Sequence, residues 1–205
     1  IMSTNLVLLF HEIPSKDWFR TALKTIGKIY SFISIDDIEK YYYGNKIFNN
    51  CCHICFDDGD RSFYENAFPV LKETGIPATL FLSPKIVENV SNYWFQELNY
   101  LREKLGDIIL KESICEVLNC DYLQIKKYGV FSLFNCMKLE DILKVIKAIE
   151  EKHSIRIDRK YNITKDQLAE LNKSDLITIA AHTMNHPILS NETDSDARVE
   201  ISDSV

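Results

Sequence analysis

No stretch of this 205-residue chain approaches the roughly 20 consecutive apolar residues of a membrane-spanning helix. Residues 5–10 are too short to be the apolar core of a signal peptide. Excess positive charge is absent too: 24 Lys and Arg stand against 30 Asp and Glu, a formal net charge of −6. That balance argues against nucleic acid or an anionic membrane as partner. There is no Gly-rich phosphate loop, internal repeat or low-complexity tract. Six cysteines are present, in a usage that fits a reducing compartment better than a disulfide framework. Cys52-His53-Ile54-Cys55 has the spacing of a redox or zinc motif, yet an offset of three in a strand turns the two thiols to opposite faces. They read as small buried hydrophobes. Cys115, Cys120 and Cys136 fall in helix-like segments without a paired motif, a usage that fits a reducing compartment. With its start intact the chain is expected in the cytoplasm, although a removed signal peptide would leave the same sequence.

At 46% hydrophobic, a chain of this length can bury a real core, and it is expected to form one domain with an elaboration. Strand-like and helix-like segments alternate. After a strand at 6–10, Ser15 can cap a helix with the apolar face Phe19, Ala22, Leu23, Ile26, Ile29 and Tyr30. A short strand at 32–35 follows, with Ser34 as the cap of a helix through Tyr43. A strand at 51–56, a helix at 63–74 ending at Gly75, and strands at 78–82 and 176–181 complete the pattern. Such alternation implies a parallel sheet, hence a barrel or an open α/β fold. Segments 93–105, 112–127 and 139–153 instead carry helical periodicity throughout, which makes about 93–160 a helical insertion. Its stripe of Trp94, Phe95, Leu98 and Leu101 is expected to be core. His53, mid-strand, is expected to be a satisfied core group, and His11 ends the first strand with a possible substrate-facing role.

The residues that carry chemistry are two short motifs. Phe56-Asp57-Asp58-Gly59 closes one strand-like run, and His182-Thr183-Met184-Asn185-His186-Pro187 closes another. By itself an Asp-Asp-Gly is a solvated turn more often than a site, because Asp tolerates turn geometry and Gly supplies positive φ. Both motifs, however, place ionisable groups at the carboxyl end of a strand, where parallel α/β folds hold their ligands. Two histidines and a carboxylate suit zinc, at roughly 2.0 to 2.2 Å, and also match the facial triad of non-haem iron enzymes. Thr183 can bond local backbone, and Pro187 fixes the exit of the loop.

These residues resemble the polysaccharide deacetylases of the NodB-homology type, carbohydrate esterase family 4. Cys55-Phe56-Asp57-Asp58-Gly59 is similar to the family's first motif, with Cys55 in place of Thr, and His182 to His186 is similar to its second. Residues 68–82 resemble the helix and strand after the first motif, and residues 6–13 the opening strand. The resemblance implies an α/β fold, an incomplete or distorted (β/α) barrel over 1–205 with the helical insertion. It implies that Asp58, His182 and His186 bind one divalent metal, zinc ahead of cobalt or nickel, and that Asp57 takes the proton from attacking water. The implied reaction is hydrolysis of an N-acetyl or O-acetyl group on an acetylated carbohydrate. The family's Arg motif and its Leu-x-His proton donor are missing after His186. The chain is therefore expected to be a C-terminally truncated domain or a fragment, with a catalytically inactive glycan- or metal-binding remnant as the alternative.

Overall fold

A computed structural model describes residues 4–205. In chain order the elements are β1 (Leu6–Phe10), α1 (Lys16–Ile26), β2 (Ser31–Phe32), α2 (Ile35–Tyr43), β3 (Cys51–Phe56), a π-helical turn (Phe63–Ala67) leading into α3 (Phe68–Thr74), β4 (Ala78–Leu82) and α4 (Pro84–Asn89). Then come α5 (Trp94–Leu118), α6 (Tyr122–Ile125), α7 (Val130–Phe134), α8 (Leu139–His153), α9 (Lys165–Leu171), β5 (Ile177–Ala181), a 3-10 turn (Leu189–Asn191) and α10 (Asp194–Ser202). They divide into two compact units. The first holds the described residues through Val90 with Tyr161–His182 and Val205, and the second holds Ser91–Lys160 and Thr183–Ser204.

The first unit is built on a parallel sheet in the order β1-β3-β4-β5, with β2 paired to the start of β3. Among the described residues β1 and β5 remain as edges, so the sheet is an incomplete barrel. Every residue of β3 is buried, as befits a central parallel strand covered on both faces. Phe56 packs its ring against Phe10, Phe19 and Phe63, which ties β1, β3, α1 and the π-turn into one core. Local chemistry sets the helix ends. Ser15 accepts from Trp18 N, Ser34 and Asp37 form a reciprocal capping box, and Gly75 closes α3 at φ 67.

Three expectations need correction here. The strand expected at 32–35 stops at Phe32: Ile33 N still donates to Cys52 O, but Ser34 is already committed to capping α2. Residues 63–74 are not one α-helix, because Pro69 has no N–H to give back, and the turn before it widens to a Phe68 N to Phe63 O bond. Ile29 is 66% exposed, since α1 ends at Ile26 and leaves it beyond the apolar stripe.

The second unit has its own core, centred on Trp94, Leu98, Leu101, Leu110 and Ile114 of α5 and Ile142, Val145, Ile146 and Ile149 of α8. The aromatic stripe is thus core, with Phe95 only partly buried. Helix α5 is interrupted at Gly106 (φ 78, ψ 166), near the break between the two expected helices. The helix expected over 112–127 also breaks, at Asn119 in the left-handed region, before Asp121 caps α6. Charges on α8 pair at the surface, Lys144 with Glu140 and Lys152 with Glu116, and such exposed pairs add little stability. No helix among the described residues is long and apolar enough to cross a membrane.

His53 is satisfied on both ring nitrogens, as expected. Nδ1 lies 2.9 Å from Ile33 O and Nε2 3.0 Å from Thr79 Oγ1. A carbonyl only accepts, so Nδ1 carries the proton and Nε2 accepts from the threonine hydroxyl. Burial holds the imidazole below its ordinary value of 6.5 despite the Ile33 carbonyl. A group with a depressed folded value stabilises the neutral form, so its contribution is present above pH 6.5 and fades as pH falls below it. His53→Gln should be less stable at pH 7.5 by about 1–3 kcal/mol and lose less on acidification from pH 6.5 to 5. Parallel stability curves in urea titrations would remove His53 as the cause.

Candidate active site

The carboxyl ends of three strands of the first unit bring ionisable groups together. At the end of β3 the ladder continues one residue further, Asp57 N donating to Phe10 O at 3.0 Å. The chain then turns sharply: Gly59 N donates to Asp57 O at 2.8 Å, and both Asp58 and Gly59 sit at φ 68. Asp is among the few side-chain-bearing residues that tolerate this region. A side chain at 59 would be strained at that φ, and its Cβ, 2.2 Å from Leu82 Cδ2, would force the leucine to move. A segment returning at Tyr161 secures the turn from outside, with Arg61 N on Tyr161 O and Ile163 N on Gly59 O.

His182 follows β5 directly. Its N–H donates to Leu82 O at 2.8 Å, extending the β4–β5 ladder, and Ser83 Oγ donates to its carbonyl at 2.8 Å. Its Nε2 stands 3.7 Å from Asp58 Oδ1 and 3.9 Å from Asp57 Oδ2. His11, at the end of β1 and largely exposed, places Nε2 4.0 Å from Asp57 Oδ2. These separations are too long for hydrogen bonds. They leave room for a small ion, since two ligands about 2.1 Å from a tetrahedral cation stand roughly 3.4 Å apart. Asp58 is buried and Asp57 nearly so. Burial raises the Asp58 pKa above the ordinary carboxylate value, with His182 and His11 opposing and Asp57 and Asp60 adding to the rise.

His186 belongs to the second unit. Its ring meets Tyr93 and Phe95 edge-to-face, with centroids 5.3 Å away in each case, and Trp94 Nε1 donates to its carbonyl at 3.1 Å. Thr183 Oγ1 accepts from His186 N at 3.1 Å, the local backbone bond expected of that hydroxyl. Asp58 and His182 are the side chains of the first unit suited to ligate a cation. Cys55 turns away, its Sγ towards Leu8 O, so the departure from Thr leaves the turn intact. Sequence reasoning missed Ser83 and the aromatic wall around His186. Ser83, following β4 as Asp57 follows β3, was the available signal.

A sequence profile of the polysaccharide deacetylases matches residues 48–205. The chain belongs to the polysaccharide deacetylase family. Over 76 residues it is 40% identical to a poly-beta-1,6-N-acetyl-D-glucosamine N-deacetylase from Staphylococcus epidermidis, a match covering 37% of this chain and 25% of that protein. The chain thus spans about a quarter of the length of the curated relative it matches. Among solved structures it is similar to the Streptococcus pyogenes deacetylase PplD in complex with acetate, with a TM-score of 0.57 and 16% identity over 99% of this chain and 67% of that one. At that identity the likeness concerns the fold.

The raised Asp58 pKa carries a stability consequence for this family member. A carboxyl whose folded value exceeds the unfolded one favours folding below the unfolded pKa and disfavours it as pH rises through the folded value. Metal-free Asp58→Asn should therefore unfold at a higher temperature than metal-free wild type at pH 7, and the gap should close towards pH 3. Calorimetry in chelator checks this; a variant less stable than wild type at pH 7 would contradict it.

Proposed function

We propose that this protein removes N-acetyl groups from a polymer of N-acetylated hexosamine, with poly-β-1,6-linked N-acetylglucosamine as the first candidate. The observation that carries the reading is the convergence of Asp57 and Asp58 on His182 at strand ends, with His182 Nε2 3.9 and 3.7 Å from their carboxylates, in a member of this family. The substrate follows from the Staphylococcus epidermidis relative. Asp58, His182 and His186 offer one carboxylate oxygen and two imidazole nitrogens, the donor set proposed to hold a single divalent cation, zinc in the first instance. Four residues of chain reach at most about 14 Å, so His186 is tethered close to His182. When bound, the cation supplies a Lewis acid that polarises an amide carbonyl and acidifies water.

The remaining work falls to the chain's own groups. An acetamide is a poor electrophile and neutral water a poor nucleophile. Asp57, adjacent to the ligand Asp58 but not itself assigned to the cation, accepts the proton of the attacking water. As the C–N bond breaks, the departing nitrogen needs a proton, and His11 beside Asp57 is the imidazole assigned to deliver it. The products are acetate and a free amine.

Acetate release from β-1,6-linked N-acetylglucosamine oligomers in the presence of zinc tests the reading. Asp57→Asn should lower kcat by about 10²- to 10⁴-fold while zinc still binds, and His182→Ala should lose the metal. Equal turnover by Asp57→Asn and wild type would sink the assignment of the base. Wild type that binds zinc without releasing acetate from any N-acetylated glycan would favour a binding role instead.

A further inference from the structure

The loop after His182 is held in an unfavourable shape, and one side chain of α10 holds it. Thr183 has φ 61 and His186 φ 57, so two residues with side chains occupy the left-handed region within four positions. For a β-branched residue such as Thr183 this is a true outlier, costing about 1–3 kcal/mol, and it persists only when surrounding contacts over-determine it. Within the second unit those contacts converge on Glu200. Its carboxylate accepts from Asn185 N at 2.8 Å through Oε2 and from Asn185 Nδ2 at 2.6 Å through Oε1. Its backbone carbonyl accepts from Met184 N at 3.0 Å. The three donors lie between the two left-handed residues, so the bonds pin the middle of the loop while Thr183 Oγ1 and Trp94 Nε1 secure His186 at its end.

We propose that Glu200 is a positioning residue for the metal ligand His186: its bidentate grip on Asn185 keeps the loop in the strained conformation that presents the imidazole. The inference rests on the proposed role of His186 as a ligand. Glu200 is half-buried, its carboxylate meets both donors of one residue in the way that makes charge-assisted bonds geometrically specific, and it does not itself ligate. Without it the loop is free to relax towards ordinary φ values, which turns the imidazole. The Met184 bond uses backbone alone and survives any substitution at 200, so a side-chain variant isolates the carboxylate.

The test is zinc affinity by competition with a chromophoric chelator, measured for wild type, Glu200→Gln, Glu200→Ala and His186→Ala, with circular dichroism of each metal-free chain. Outer-sphere groups of this kind alter metal affinity by roughly 10- to 100-fold, so Glu200→Ala should bind zinc that much more weakly with an unchanged metal-free spectrum. Glu200→Gln keeps one acceptor oxygen and should recover part of the loss, yet stay more than threefold weaker than wild type. If Glu200→Ala does not fold, Glu200→Gln alone decides. Wild-type affinity in a folded Glu200→Ala or Glu200→Gln, while His186→Ala has lost zinc, would overturn the inference and leave the ligand set standing. Failure of wild type to bind zinc would overturn the ligand set itself.

Discussion

Parallel pairing of β3 with β1 and β4 is the constraint on which the chemistry of the first unit depends. Because the strands run the same way, their carboxyl ends emerge at one edge, and whatever follows them meets there. His11 follows β1, Asp57 and Asp58 follow β3, and His182 follows β5. What each face of β3 meets fixes this register, since a slip of one residue would exchange Ile54 and Phe56 with the hydrogen-bonded His53 face and carry Asp57 away from His182. Burial of Asp58 is a consequence of the same packing. It disfavours the charged carboxylate and so leaves a group whose electrostatic need a cation can meet.

Both motifs hold side-chain-bearing residues in the left-handed region, where Asn45, Asn50, Val90, Asn119 and Ser154 also lie. Asp58 and Thr183 both sit at positive φ, one in a turn that favours Gly at 59, the other in a loop tied to α10. Side-chain-bearing residues in the left-handed region cost free energy wherever they occur; at Val90, Asn119 and Ser154 that conformation closes a helix, whereas at Asp58, Thr183 and His186 it shapes the motif loops. Helix starts follow ordinary rules: Ser15, Ser34, Thr164 and Thr193 cap their helices, and Gly75 ends one.

Much of the first unit was legible in the sequence because local and global signals agree there. Strands β1, β3 and β4 lie where their apolar runs lie, and the caps at Ser15 and Ser34 mark helix starts. What was illegible depends on neighbours that no local pattern encodes. Pro69 gave notice that a helix would be perturbed, but a widened turn rather than a break followed because Phe63 and Ala67 are locked into the core. The aspartate and histidine motifs could be read, since their residue types and strand-end positions are local facts. The grip of Glu200 on Asn185, the bond from Ser83 to His182 and the Tyr93 and Phe95 rings beside His186 could not. Each joins residues that tertiary packing alone brings together.

The central claim concerns which atoms hold the cation, and X-ray absorption at the zinc K-edge reads those atoms directly. Protein loaded with one equivalent of zinc should show a first shell of nitrogen and oxygen only, at roughly 2.0 to 2.2 Å, with the outer-shell scattering of two imidazoles. A shell containing sulfur at about 2.3 Å would move the metal to the cysteines and contradict the account.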